Sequence, residues 1–212
     1  MNVLVVKANN RPAAEGISSK MYETFMENVK DVNITTFDVF EEDMPYFGQD
    51  FFNVFGKLQK GEQLTEQDSR LLAAKQKAMD ALTAAEVVVF VFPLWNLTIP
   101  APLQTFIDYV YQAGFTFKYN EQGQLVSLMT DKKAIILNAR GGIYSNPEAA
   151  PMEMSVNYIK NVAGGVFGMQ IIDEVIIEGH NAMADKAATI VSEGMDKVKA
   201  VATKLSQQVV TN

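Results

Sequence analysis

Apolar residues in this chain come as short continuous runs, separated by longer stretches where they recur every three or four positions. Val3-Leu4-Val5-Val6 is the first run and predicts a buried strand. Met21, Tyr22, Phe25, Met26 and Val29 then fall at helical spacing, giving one apolar stripe. Val32 to Val39 alternates and is rich in β-branched residues, so it predicts a second strand nearer the sheet edge. The longest run, Val87 to Phe92, stops at Pro93 and is followed by Leu94, Trp95 and Asn96. A run apolar on both faces belongs in the middle of a parallel sheet. Pro93 has no N–H to give a ladder, so the strand should end there. Ala134 to Leu137, ending at Asn138, and Ile171 to Ile177 supply two more strands.

Helical segments alternate with these strands. Thr65 with Asp68 predicts a capped helix running to Ala84, with Leu72, Met79 and Leu82 among its apolar contacts. Pro100 and Pro102 suit the first turn of another, with Leu103, Phe106, Ile107 and Val110 inward and Gly114 as its stop. Glu153 to Ala163 and Met183 to Val209 complete the set, and Phe115 to Tyr119 alternates into a turn at Asn120 to Gly123. The stretch from Glu41 to Leu64 is too long for a plain connection in such a fold and carries six aromatic or methionine side chains: Met44, Tyr46, Phe47, Phe51, Phe52 and Phe55. It reads either as an extra helix on the core or as a pocket wall or subunit interface. Five strands alternating with helices predict one domain over residues 1–212. The fold class is α/β, three-layer and doubly wound, with a five-stranded parallel sheet in the flavodoxin-like order 2-1-3-4-5.

Composition narrows the chemistry. With 212 residues, 48% hydrophobic and 20% charged, the chain can build one good core. A net charge of −7, with no basic cluster beyond Lys132-Lys133, argues against a nucleic-acid partner. The absence of cysteine removes thiolate nucleophiles, disulfides and cysteine-based metal sites. No apolar run approaches the ~20 residues of a membrane span, and no signal-peptide pattern opens the chain, so a soluble, cytoplasmic protein is expected.

In an open parallel sheet, the loops after strands 1, 3 and 4 meet at the carboxyl edge, where ligands bind. The first carries Asn9, Asn10, Arg11 and, before the helix, Gly16, Ile17 and Ser18. Ser18 is either an ordinary helix cap or part of an anion site at a helix N-terminus. In the second, Trp95 is either core or a wall for a flat ring, with Asn96 reading its polar edge. The third, Asn138-Ala139-Arg140-Gly141-Gly142, lets backbone approach a ligand at the paired glycines, while Arg140 holds phosphate, substrate or a carboxylate, or faces solvent. His180 is the single histidine, and its incidental reading outweighs a catalytic one. No triad, metal-ligand cluster, Walker loop or Rossmann fingerprint is present, so no residue is assigned as catalytic and none as a metal ligand.

Five segments in this order resemble the bacterial FMN-dependent NADH azoreductases, also described as NADH:quinone oxidoreductases. They are Val5 to Pro12, Phe92 to Pro100, Gly114 to Tyr119, Asn138 to Gly142 and Ile177 to Asn181. The resemblance implies bound FMN, NADH as co-substrate, and quinone or azo acceptors reduced in a ping-pong cycle. It implies a homodimer with FMN near the interface. It places cofactor contacts at Asn9, at Gly16, Ile17 and Ser18, at Leu94, Trp95, Asn96 and Leu97, and at Ala139, Arg140, Gly141 and Gly142, beside the Asn138 read from the third loop. Phe117 and Tyr119 would cover the flavin pocket. The segment Ala163 to Gly168 is one residue longer than in relatives, which counts against Phe167 as a substrate gate. The rival reading is a flavodoxin-type electron carrier with FMN but no NADH site.

Overall fold

The computed structural model describes residues 1–210. Strands β1 (Asn2–Lys7), β2 (Asn33–Asp38), β3 (Val87–Pro93), β6 (Lys133–Arg140) and β7 (Gln170–Glu178) form one parallel sheet in the order β2-β1-β3-β6-β7. That is the expected 2-1-3-4-5 once the hairpin β4 (Phe117–Tyr119) and β5 (Leu125–Ser127), which pair only with each other, is set aside. β2 is an edge strand, as its alternation predicts.

Every residue of β3 is buried. Val88, Phe90 and Phe92 face one core cluster, and Val87, Val89 and Val91 face the other. Helices α3 (Glu66–Ala84) and α4 (Ala101–Val110) cover the first face through Leu82, Leu103 and Phe106. α1 (Ile17–Asn28) and α6 (Ala187–Val210) cover the second through Met21, Phe25, Val198 and Leu205. Each such side chain contributes roughly 1.5–3 kcal/mol by leaving water, which is why a strand apolar on both faces must lie centrally.

The expected capping box is present on α3: Thr65 Oγ1 accepts from the Asp68 N–H, and Asp68 Oδ2 accepts from the Thr65 N–H. The Glu41–Leu64 stretch does build an extra helix, α2 (Gln49–Lys60), with Phe51 and Val54 in the core and Tyr46 and Phe52 exposed. Several boundaries differ from expectation: the helix expected from Glu153 begins at Val156, and that expected from Met183 begins at Ala187. α1 starts at Ile17 with Gly16 as its N-cap, so Ser18 lies inside the first turn and is not the cap. α4 ends at Val110, and Gly114, with φ of 84°, turns the chain into the hairpin three residues later. After α5 (Val156–Ile159) the helix runs on as a π-helical segment, Lys160–Val166, with the Phe167 N–H donating to the Val162 carbonyl. A π-helical turn takes up one extra residue without unwinding its flanks.

Candidate functional site

Proline sets the geometry at the end of β3. It cannot donate to β6, and the ladder resumes one residue later with the Leu94 N–H donating to the Ala139 carbonyl (2.9 Å). Trp95 and Thr98 then exchange both backbone hydrogen bonds, at 3.0 and 3.1 Å, around Asn96 and Leu97. Both central residues have positive φ, 50° and 71°. Asparagine tolerates that region; leucine there carries a backbone cost of about 1–2 kcal/mol. Strain of this kind concentrates at binding sites. Trp95 is half-buried against Phe40 (centroids 6.1 Å apart), so it is a wall residue and not core.

The first loop is braced internally. Asn9, buried, accepts the Arg11 N–H on Oδ1 (2.9 Å) and donates from Nδ2 to Ser18 Oγ (2.7 Å). That bond uses a lone pair of Ser18 and leaves its hydroxyl proton to donate elsewhere. The first-turn N–H groups of α1, at Ile17, Ser18 and Ser19, have no intrahelical acceptor, and no cap side chain serves them. Ser19 Oγ is buried without a partner. A Cβ on Gly16 would sit 3.1 Å from Asn9 Nδ2 and 3.2 Å from Arg11 Cβ, so glycine keeps this corner open.

The third loop is tied to the one after β7. Gly179 N–H donates to the carbonyls of Arg140 and Gly142, and the N–H groups of Asn181 and Ala182 donate to the Gly141 carbonyl. Arg140, read as holding phosphate, substrate or a carboxylate or as facing solvent, holds carboxylates. It is buried, with Nε and Nη2 each 2.9 Å from Glu178 Oε2 and Nη1 3.7 Å from Glu153 Oε1, and its anions are internal carboxylates. Burial alone would raise both glutamates. Hydrogen bonds from Ser155, Val156 and Asn157 to Glu153, and from Ser145, Tyr144 and Arg140 to Glu178, more than reverse that and hold both below the usual carboxylate value.

These loops enclose a cavity of about 480 Å³ walled by Asn9, Gly16, Ile17, Ser18, Leu94, Trp95, Ala139 and Gly141. Asn96, Leu97, Asn138, Arg140 and Gly142 are not among its lining residues. Asn138, for example, is fully buried and donates to the Phe92 carbonyl (3.1 Å). Phe117 and Tyr119 lie on the separate hairpin and do not line the cavity in this chain. Phe167 is buried beneath Tyr111, 5.8 Å ring to ring, in no position to gate.

Arg11, Glu15, His180 and Asn181 line the cavity without having been assigned to it. For His180 and Asn181 the signal was their place just past a strand, at the same sheet edge. Burial pushes the His180 imidazole below its ordinary value, leaving it neutral near pH 7. A cleft of equal volume between α2 and α3 is floored by the ion pairs Lys57–Asp68 and Lys60–Glu62, and none of the three loops reaches it. Among the described residues no group of three or more potential ligands could hold a metal, and no helix is long and apolar enough to cross a membrane.

Fold and site together define a doubly wound α/β protein with a cavity built by the loops at the carboxyl edge of its sheet. The chain belongs to the flavodoxin-like fold family, whose model matches residues 1–202. It is 46% identical over 206 residues to an FMN-dependent NADH:quinone oxidoreductase 3 of Bacillus cereus, covering 95% of this chain and 98% of that one. It is 43% identical over 206 residues to the FMN-dependent NADH:quinone oxidoreductase 1 of Bacillus subtilis, with the same coverage. The crystal structure of an azoreductase from Bacillus anthracis superposes with a TM-score of 0.87 at 45% identity, over 96% of this chain and 99% of that one.

Proposed function

We propose that residues 1–212 act as one FMN-binding unit that passes electrons from NADH to quinones and azo compounds, cleaving azo bonds to amines. The observation that carries this reading is the joining of a free helix N-terminus and a tryptophan wall in one cavity. Identity above 40% to NADH:quinone oxidoreductases supports the same activity.

The residues suit FMN. The N–H groups of Ile17 to Ser19 and the Ser18 hydroxyl are donors for its phosphate, favoured by the helix dipole, with Arg11, ion-paired to Glu15 at 3.8 Å, on the same wall. The half-buried face of Trp95, with Leu94 and Ala139, forms a flat apolar wall for the ring. Backbone N–H groups at Asn96, Gly141 and Gly142 are the candidate donors to its polar edge, where preorganised dipoles do most. Arg140 enters as the brace of Gly141 and Gly142 and makes no contact of its own.

When bound, FMN supplies the two-electron exchange between nicotinamide and acceptor. The chain's part is to orient, desolvate and expose one face through a single cavity, which NADH and the acceptor use in turn. Azo cleavage takes two such rounds. No side chain is given a proton-transfer role. A second copy of the chain, bringing Phe117 and Tyr119 over the cavity mouth, completes the substrate pocket. The cytoplasm, where NADH is held, is the place of action.

Stopped-flow mixing of FMN-loaded protein with NADH tests the reading. Rapid bleaching of the flavin absorbance, reversed by a quinone, is expected. Protein that takes up FMN but is not reduced by NADH is an electron carrier, and protein that takes up no FMN is neither.

A further inference from the structure

Lys75 is a buried cation that the cofactor cavity does not use. It lies in α3 at 6% exposure, and among the described residues no carboxylate pairs with it. Its Nζ donates to the Tyr109 carbonyl near the end of α4, and the Phe47 ring centroid lies 6.0 Å away. Two clefts of about 310 and 410 Å³ flank it and share Phe55, Lys75 and Gln112 as walls. No residue lines both these clefts and the cofactor cavity.

The smaller cleft is edged by the rings of Phe47, Phe55 and Tyr111. Capping the end of α4 accounts for one N–H of the ammonium, but not for an open aromatic cleft beside the other two. Desolvation draws the amine down from 10.5 to about 8, the mark of a charge that its surroundings under-compensate. The other titratable groups here come from α4 and its end. Asp108 lines the smaller cleft with Oδ1 already accepting from Gln104, the Tyr109 hydroxyl is spent on the Pro45 carbonyl, and Tyr111 lies at the rim. α2 contributes Phe55 and Gln59, without charge. The complement of such a cleft is a planar apolar body carrying one negative charge.

We propose that the cleft between α2, α3 and α4 is a second ligand site that binds a small aromatic carboxylate, its ring among Phe47, Phe55 and Tyr111 and its carboxylate on Lys75 Nζ. The proposal stands apart from the cofactor reading, since it shares no residue with that site. A charge-assisted contact of this kind, in a desolvated cleft, sets both affinity and preference for an anion.

Isothermal titration of the FMN-loaded protein with 2-naphthoate at pH 8, in two buffers of different ionisation enthalpy, tests it. One ligand per chain is expected, with proton uptake, because the anion draws a partly protonated lysine to full charge. Lys75→Met should weaken binding about tenfold or more and abolish the proton uptake, and the neutral 2-naphthylmethanol should bind wild type about tenfold more weakly than the acid. Phe55→Ala, which leaves the lysine, should weaken binding while keeping the proton uptake, and it decides the matter if the lysine variant fails to fold. No saturable binding, binding without proton uptake, unchanged affinity in either variant, or displacement of 2-naphthoate by NADH would each overturn the proposal.

Discussion

Gly141 is held glycine by its neighbour across the loop. A Cβ there would lie 2.3 Å from Asn181 Nδ2, 2.8 Å from its Cγ and 3.1 Å from its Cβ, while the Asn181 N–H donates to the Gly141 carbonyl. Gly141→Ala must therefore displace the Asn181 side chain at the cavity wall. The expected cost in folding stability is that of overpacking, about 1–3 kcal/mol. The loss of FMN affinity should exceed what that figure explains, because the wall itself moves; flavin-fluorescence titration beside urea unfolding separates the two. Trp95→Ala makes the complementary case. Its half-buried ring packs on Phe40 and carries little of the core, so FMN retention should drop with the fold intact, and unchanged flavin affinity would reduce Trp95 to a packing residue. The position of Trp95, just past a strand-ending proline, was legible in the sequence. The restraint on Gly141 was not, because Asn181 belongs to another loop.

At the scale of elements, the latch between the β6 and β7 loops turns on Arg140. Arg140→Met would leave Glu153 and Glu178 facing a site with no cation, and loss of one partner from a buried ion cluster costs about 3–5 kcal/mol. Both glutamates are held below the usual 4.5 in the folded chain. The native state therefore binds fewer protons than the unfolded one around that pH. This contribution is full above the unfolded value of 4.5 and is lost as the pH falls through the lower folded values. The melting temperature should accordingly fall as the pH drops below the unfolded value of 4.5, and Glu178→Gln should flatten part of that slope in a thermal series. Periodicity revealed the strands, the helices and the Thr65–Asp68 box because those signals are local. Gly16, with extended backbone, takes the cap position of α1, and Ser18 Oγ instead accepts from Asn9 Nδ2, a contact from the preceding loop that spacing does not encode. The partners of Arg140 were hidden for the same reason: Glu153 and Glu178 reach it only once β6, β7 and α5 have assembled.

For the whole molecule, the unsolved surface is the cavity mouth. Tyr119 is 62% exposed at the tip of the hairpin, edge-on to Phe117, and Leu125 opposite it is also exposed. Met152 and Met154 are exposed beside the site, where the Met154 N–H donates to the Leu97 carbonyl at 3.0 Å. Apolar side chains clustered in this way mark surfaces that are covered in the working protein. A homodimer in which one copy's hairpin lies over the other's methionines would cover both and bring Tyr119 to the acceptor, which a lone chain leaves in water. Sedimentation equilibrium of the wild type should then give the mass of two chains. Tyr119→Lys should weaken the dimer about tenfold or more, as loss of an aromatic anchor does, and lower turnover with a quinone while leaving FMN titration nearly unchanged. Wild-type protein that sediments as a monomer at assay concentration, yet turns over at full rate, would show that a single chain closes its own pocket, and Phe117 and Tyr119 would then lose their place at the substrate.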